Sequence, residues 1–552
     1  MGSIEDFTSS TSGTTKTISP LSDGALNDPI FSDDVIRYHL SLLKSGHGGE
    51  VVSDESAYAP IISSSVLACH ANLGNGQDKP KIPQFGLLAG SRPLLQDLRP
   101  KRASPIASLD KDPRLLFNVS HPSSVFICGS QGSGKSHTLS CLLENCLIPS
   151  KAGRLPNPLT GLVFHYDTFI SDTVGSPCEA SFLSSHPDVH VRVLCSPTNI
   201  HTIRGYYSRF NIPVDPLQLD QNHLNTKRMM DLMAIGQKDG QIPLYIHTVK
   251  RVLRELRIIQ QESGTLFNYQ EFKDRILRCG LTRDQLVPLK QRLDTLESFM
   301  PQEQVQMSRS KERKVTKSSI WDPVPGRLTI VDMSCPCISP ETACSLFNIC
   351  LGIFLEQDPT IGRVVALDEA HKYMNSSAEA QIFTETLLSA VRLQRHLGTR
   401  VIISTQEPTI STDLLNLCSV TIVHRFTSPE WLRTLQKHLA AAACNLFSSK
   451  SGFGNNGSEV EEPGDEKESP SAFDIIVRLR VGEALLFAPS AIVKVGTLED
   501  GRVEFHRLGS DFLPIKVRER LTSDGGKSVL SVHAGGVRSK VATHPKDFYP
   551  PK

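Results

Sequence analysis

The stretch SVFICGSQGSGKSHTL, residues 124–139, decides the fold. Its first five residues form a short apolar run of the kind that makes a buried strand. Gly129 to Ser136 then fit the pattern G-x-x-x-x-G-K-[ST], and a run with helical character follows over residues 137–146. A strand, a glycine-rich turn and a helix N-terminus in this order predict a loop whose backbone N–H groups surround a phosphate.

Each residue type in this loop has a physical reason to be there. The glycines let the backbone curl so that several N–H groups point inward. Lys135 is expected to reach the β- and γ-phosphates, and the Ser136 hydroxyl to ligate Mg²⁺. The alternative is an ordinary loop rich in glycine and serine. The predicted nucleotide-binding residues are Gly129, Ser130, Gln131, Gly132, Ser133, Gly134, Lys135, Ser136 and His137.

A second apolar run, residues 363–367, ends in two adjacent carboxylates, Asp368 and Glu369. A hydrolase of Mg²⁺-bound nucleotides needs an acidic residue at the metal and a base that polarises the attacking water. Asp368 is the predicted metal residue and Glu369 the predicted general base. The alternative is that the pair caps the helix that follows.

A third apolar run, residues 400–404, ends in Thr405 and Gln406. A polar side chain at this strand end can hydrogen-bond the γ-phosphate or the attacking water, so Gln406 is predicted to sense the bound nucleotide. A glutamine that caps a loop is the alternative.

Further apolar runs, at 161–165, 189–195, 328–332 and 420–424, are continuous rather than alternating, which favours a parallel sheet covered on both faces. Leu244 to Gln260 has the periodicity of an amphipathic helix, with a basic opposite face that is either solvated or a nucleic-acid contact. The predicted organisation is a largely disordered segment 1–80, core halves 81–219 and 318–510, a helical insertion 220–317, a disordered acidic loop 448–471 and a tail 511–552.

Composition excludes several classes of protein. Among the 552 residues, 59 Lys and Arg oppose 58 Asp and Glu, so no global basic field indicates a polyanion partner. The apolar runs are far shorter than the roughly 20 residues that span a bilayer, so no membrane segment is expected. Thirteen cysteines, many of them in apolar runs, favour reduced thiols in an intracellular protein of the cytoplasm or nucleus. Cys335 and Cys337 have no second ligand pair nearby, so zinc is not expected.

Three segments together resemble the HerA–FtsK superfamily of P-loop ATPases. They are GSQGSGKSH from residue 129, VVALDEAHKYM from residue 364 and RHLGTRVIISTQEPT from residue 395. The resemblance implies a RecA-like α/β core with a mostly parallel sheet that forms homo-oligomeric, hexameric rings, hydrolyses ATP with Mg²⁺ between subunits and pumps duplex DNA. It also implies an arginine that acts on the neighbouring subunit's nucleotide, for which Arg395 is the candidate and Arg425 the alternative.

The chain departs from that superfamily in its ends. Residues 1–100 are not expected to form the small β-barrel of HerA, and neither the membrane helices nor the C-terminal winged helix of FtsK is apparent. Asp368 to His371 spell the box of the DEAH helicases, but the later motifs of those enzymes are missing. The remaining alternative is an ATP-dependent switch or scaffold that moves no DNA. A guanine-reading N-K-x-D motif is also missing, which favours ATP over GTP.

Overall fold

The computed structural model describes nine stretches of the chain. These are residues 56–73, 82–97, 111–168, 175–233, 244–305, 320–408, 410–439, 472–497 and 503–524. The acidic loop 448–471 lies outside the described residues.

All of the described strands belong to one mixed sheet. In chain order they are β1 (Ile61–Ser63), β2 (Phe85–Ser91), β3 (Arg114–Asn118), β4 (Ser124–Cys128), β5 (Gly153–Arg154), β6 (Thr160–His165), β7 (His190–Cys195), β8 (Val214–Pro216), β9 (Arg327–Asp332), β10 (Arg363–Leu367), β11 (Thr399–Thr405), β12 (Val420–Val423), β13 (Glu483–Phe487), β14 (Ile492–Thr497), β15 (Val503–Arg507) and β16 (Leu513–Val517).

The described helices connect and cover these strands. They are α1 (Ser64–Leu73), α2 (Arg92–Gln96), α3 (Lys135–Leu147), α4 (Ile200–Tyr207), α5 (Thr226–Met233), α6 (Leu244–Ser263), α7 (Tyr269–Leu277), α8 (Arg283–Ser298), α9 (Gln302–Val305), α10 (Pro340–Glu356), α11 (Ala378–Arg392), α12 (Gln394–Leu397), α13 (Thr412–Leu417), α14 (Pro429–His438) and α15 (Ala472–Arg478). Among these described helices, none combines the length and the apolarity needed to cross a membrane.

The central part of the sheet is parallel, in the order β12-β4-β11-β10-β6-β9-β7-β8. Strand β11 therefore lies between β4, which leads into the glycine-rich loop, and β10, which leads into the acidic pair. Because the strands are parallel, their carboxyl ends meet at one edge of the sheet. This order is that of a RecA-like P-loop core, and it confirms the predicted fold class.

Both faces of the central strands are buried, as continuous apolarity predicts. In β10, Val365 and Leu367 belong to one apolar core, while Val364 and Ala366 belong to the core on the opposite face. The first core also contains α10, α11 and the apolar side of the helical insertion, including Val249. The second core contains the apolar side of α3.

Beyond β12 the sheet continues as a largely antiparallel extension in the order β13-β16-β2-β3-β1-β14-β15. Strands from both ends of the chain build it. The sequence predicts a largely disordered segment 1–80 and a C-terminal tail 511–552, and each supplies elements to this extension. Strand β1 and helix α1 form within the first segment, and β16 pairs with both β13 and β2.

Candidate nucleotide-binding site

The glycine-rich loop has the backbone conformation that its glycines permit. Gly129 has a φ of 152° and Gly134 a φ of 110°, in the region that side chains disfavour. A Cβ atom on Gly129 would lie 2.7 Å from the Cβ of His424, and one on Gly134 would lie 3.1 Å from the backbone nitrogen of Gly482. Gly134 is also the N-cap of α3. The N-terminus of α3 therefore opens directly from the loop.

The extension of β12 holds the base of this loop. The backbone nitrogen and the hydroxyl of Ser130 both donate to the carbonyl of Arg425, at 2.8 and 2.9 Å. Beneath the loop, His424 is fully buried, with Nδ1 3.1 Å from the Glu483 carbonyl and Nε2 2.9 Å from the Thr138 hydroxyl. Burial lowers the pKa of His424 to about 4, so the ring is neutral and serves as a fixed hydrogen-bonding spacer.

Lys135 is buried near the acidic strand end and does not extend into solvent. Its side chain is buried, and its ammonium donates to the Ser130 carbonyl at 3.1 Å. Burial lowers the pKa of Lys135, while the negative charges of Glu369 and Asp368 act in the opposite direction. The lysine and the two carboxylates therefore share one electrostatic environment across the tips of β4, β11 and β10.

Asp368 is almost completely buried, at 2% exposure. Its Oδ2 atom accepts from Nδ1 of His165 at 3.3 Å and from Sγ of Cys178 at 3.6 Å, whereas Oδ1 has no hydrogen-bond partner among the described residues. Burial alone would raise the pKa of Asp368. The hydrogen bond and charge of His165, with the charge of Lys372, lower it below its usual value, so the carboxylate is ionised.

Glu369 occupies a strained backbone conformation beside Gln406. Its φ is 48°, in the left-handed region that residues other than glycine seldom adopt. Its Oε2 atom accepts from the Gln406 side-chain amide at 3.1 Å and lies 3.5 Å from Nδ1 of His371. The two predicted residues are thus in direct contact. Strain of this kind is concentrated at functional sites, where the surrounding structure maintains it.

The other predicted residues are placed as follows. Gln131 is exposed and Ser136 half-buried in the loop, whereas Nε2 of His137 donates to the Arg518 carbonyl at 2.7 Å. Arg425 lies beside the loop of its own chain. Arg395 lies in α12, ahead of β11, at the sheet edge opposite Gln406, with its guanidinium 5.8 Å from the centre of the Tyr58 ring.

Sequence reasoning missed three residues of this site, namely His165, Cys178 and His424. A signal existed for two of them, since His165 and His424 are polar residues at the ends of predicted apolar runs. For Cys178 there is no such signal, because it precedes a short 3₁₀ segment, Glu179–Ser185, and reaches Asp368 only through the tertiary fold.

A further segment braces the loop from behind. We call residues 518–524 the C-terminal strap. Glu144 on α3 is fully buried and accepts from Nη1 of Arg518 at 2.7 Å, from the backbone nitrogens of Leu521 and Thr522, and from the Thr522 hydroxyl at 2.6 Å. Arg520 pairs with Glu179, next to Cys178. The strap therefore joins the helix of the glycine-rich loop to the support of Asp368.

A strand, a glycine-rich loop and a helix, with the acidic strand end two places away in a parallel sheet, define a RecA-like P-loop NTPase core. In its fold the chain belongs to this class.

No protein-family model matches the chain, and no curated protein matches its sequence. Among solved structures, it is similar to VirB4 of Thermoanaerobacter pseudethanolicus, with 11% identity, a TM-score of 0.42, and coverage of 79% of this chain and 96% of that one. The plasmid coupling protein TrwB, in complex with ADP and Mg²⁺, matches with 13% identity, a TM-score of 0.39, and coverage of 80% and 95%.

The genome packaging NTPase B204 from Sulfolobus turreted icosahedral virus 2, in complex with ATP-gammaS, matches with 14% identity and a TM-score of 0.19, over 33% of this chain and 67% of that one.

Proposed function

We propose that the chain is a Mg²⁺-dependent ATPase of the HerA–FtsK type. The observation that carries the proposal is the position of Lys135, which is buried within electrostatic reach of Asp368 and Glu369 at the shared edge of three neighbouring strands. A triphosphate held by the loop N–H groups and Lys135 would have a carboxylate pair facing its terminal phosphate. Catalysis in such a site is positioning plus neutralisation of charge.

The residues present fit a magnesium ion. Mg²⁺ prefers oxygen ligands, keeps several of its waters and is held by few protein groups. Asp368 offers an ionised carboxylate with one oxygen that has no partner among the described residues, and Ser136 lies in the first turn of α3, next to Lys135. Asp368 and Ser136 would therefore hold the ion, which would supply charge neutralisation at the phosphates.

Glu369 is the group we assign to proton removal from the attacking water, and Gln406 the group we assign to sensing the terminal phosphate. Their contact at 3.1 Å gives this assignment a structural basis. An amide that releases Glu369 when it turns toward a phosphate would couple nucleotide occupancy to the freedom of the base.

Turnover by hydrolysis is the direct test. Lys135→Ala is expected to lose nucleotide binding or turnover, while Glu369→Gln is expected to bind ATP and release no phosphate. Glu407→Gln is the matched control, because this neighbouring carboxylate is exposed and lies on no predicted catalytic position. Normal hydrolysis by Glu369→Gln, with bound magnesium, would show that the base is another group.

We further propose that the active form is a homo-oligomer in which Arg395 acts on the nucleotide of the adjacent subunit. Arg395 lies at the sheet edge opposite the loop of its own chain, so an action on ATP has to come from a second subunit. Mixing Lys135→Ala chains with Arg395→Ala chains tests this. An interface between the two variants can combine the intact Lys135 of one subunit with the intact Arg395 of the other. Mixed chains that stay as inactive as each variant alone would count against it.

DNA is the polymer that the motif resemblance implies as substrate. The exposed face of α6 favours the binding of a polyanion such as DNA. Its residues Lys250, Arg254 and Arg257 are exposed, and none has an acidic partner among the described residues. ATP turnover measured with and without duplex DNA, at two salt concentrations, tests the idea. Replacement of these three residues by Gln should remove the stimulation, whereas Arg433→Gln on α14 should not. Turnover that ignores DNA would favour a switch or scaffold instead.

A further inference from the structure

The end of β6 places a histidine between two buried carboxylates. His165 is 5% exposed, and its neighbours in the sheet are β9 on one side and β10 on the other. The register sets His165 opposite Asp332 of β9, while Phe164 is opposite Leu367, the residue before Asp368. The imidazole therefore lies in a row of three polar side chains at the sheet edge that carries the nucleotide site.

The two carboxylates differ in how their oxygens are used. Asp332 is satisfied without the histidine, because Oδ2 accepts from the Tyr207 hydroxyl at 2.6 Å and Oδ1 accepts from the backbone nitrogen of Ser334 at 2.9 Å. In Asp368, Oδ2 takes the donors of His165 and Cys178, and Oδ1 takes none from the described residues. The histidine thus acts on one oxygen of one carboxylate.

We propose that His165 is a positioning residue for Asp368, whose Nδ1–H holds Oδ2 and leaves Oδ1 as the acceptor for a magnesium-bound water. The inference rests on the proposed function, since it concerns the same metal. A carboxylate that acts through a single free oxygen needs its rotation fixed, and a buried hydrogen bond from a rigid ring on a central strand fixes it. Cys178 adds a second, weaker donor to the same oxygen.

The same three side chains also have the composition of a transition-metal site. His165, Cys178 and Asp368 place one ligand-type atom each within 4.8 Å of one another. In the structure, His165 and Cys178 both donate to Oδ2 of Asp368, and Oδ1 remains for the nucleotide site. The two arrangements differ in metal content, which mass spectrometry of the purified chain measures directly.

Two substitutions of His165 separate positioning from packing. His165→Leu removes the donor and keeps the bulk, whereas His165→Asn returns an N–H donor near the position of Nδ1. Nucleotide affinity is measured in EDTA and at graded Mg²⁺, with a slowly hydrolysed ATP analogue. Removal of a group that orients a metal residue costs about 10–100-fold in metal affinity. We expect His165→Leu to raise the half-saturating Mg²⁺ concentration by at least tenfold and to leave nucleotide affinity in EDTA within twofold of the unaltered chain. His165→Asn should recover most of the lost Mg²⁺ affinity.

Two further variants keep the test decisive if His165→Leu does not fold. Cys178→Ala removes the weaker donor and should raise the Mg²⁺ requirement about threefold, well below the loss expected for an orienting histidine. Tyr166→Phe removes a buried hydroxyl next to His165, one that donates to the Ile338 carbonyl at 2.8 Å, and should leave the Mg²⁺ requirement unchanged.

Several results would overturn the inference. They are an equal loss of affinity in EDTA and Mg²⁺, an unchanged Mg²⁺ requirement in His165→Leu, a His165→Asn as impaired as His165→Leu, and stoichiometric zinc that disappears in Cys178→Ala. Failure of the unaltered chain to bind nucleotide in a Mg²⁺-dependent way would instead refute the proposed ATPase.

Discussion

Glu144 gives the sharpest test of how the nucleotide loop is supported. Its carboxylate has no exposed surface and pairs with Arg518, whose side chain is 7% exposed. It also accepts from two backbone nitrogens and one hydroxyl of the C-terminal strap. Glu144→Ala would therefore leave a buried guanidinium without its carboxylate, and would remove the contacts of Leu521 and Thr522 with α3.

The size of the effect follows from burial. Removal of one member of a buried ion pair costs about 3–5 kcal/mol, and a buried donor without a partner costs about 1–3 kcal/mol. Some of the second cost is relieved, because a released strap can hydrogen-bond to water. We expect Glu144→Ala to lower the free energy of unfolding by about 4 kcal/mol. Arg433→Ala, in a pair with Glu430 that is about two-thirds exposed on both sides, should cost no more than about 0.5 kcal/mol.

Urea unfolding of both variants, followed by far-ultraviolet circular dichroism, measures the difference. The double variant with Glu144→Ala and Arg518→Ala should lose much less than the sum of the two single losses, because the second substitution removes the charge that the first leaves unpaired. A loss below about 1 kcal/mol in Glu144→Ala, or additive losses in the double variant, would refute the reasoning, since neither is compatible with a buried pair.

Three further outcomes are expected. Gly134→Ala should weaken binding of an ATP analogue in calorimetry far more than Gly132→Ala. A Cβ atom on Gly132 meets open space, so Gly132→Ala costs only backbone strain of roughly 1–2 kcal/mol. Equal losses of affinity in the two variants would contradict this. His424→Gln should flatten the pH dependence of unfolding. With a pKa of about 4 when folded and 6.5 when unfolded, His424 contributes stability that is complete above about pH 6.5, and about 3 kcal/mol of it is lost as the pH falls toward 4; parallel curves for the two proteins would exclude it. Phe164→Ala, which removes a ring 4.8 Å from that of Phe347, should cost about 3–5 kcal/mol in thermal unfolding, and a loss below about 1 kcal/mol would show that the core closes around the gap.

The sheet edge that carries the candidate site was accessible to sequence reasoning because its signals are local. Each apolar run that ends in a polar residue became a strand whose polar residue lies at the shared edge, as for Asp368 and Gln406. Parallel strands force such ends together, so their proximity follows from the strand order. Strand β11 lies between β4 and β10, so the three polar strand ends are neighbours.

The antiparallel extension could not be predicted in the same way. Strand β16 contains Pro514 and follows a loop, and β2 contains Gly86 and Gly90, so neither has strong strand propensity. Strand β16 pairs with β2 on one side and with β13 on the other. Strand β2 is far from both of these strands along the chain, so no local signal reveals the pairing. The strap contacts of Glu144 were hidden for the same reason, since a glutamate inside an amphipathic helix carries no sign of its distant partner.

The mixed origin of the sheet has a consequence for how the protein is made. Strand β4 pairs with β11 and β12, and Arg518 binds the carbonyl of Leu87, a residue 431 positions away. A ribosome-bound chain thus exposes part of one edge of β2 and both edges of β4 until the strands that pair with them, β16, β11 and β12, have emerged. Non-local strand pairing of this kind folds slowly and invites aggregation. Recombinant synthesis at low temperature or with raised chaperone levels should therefore increase the yield of native protein more than a stronger promoter would.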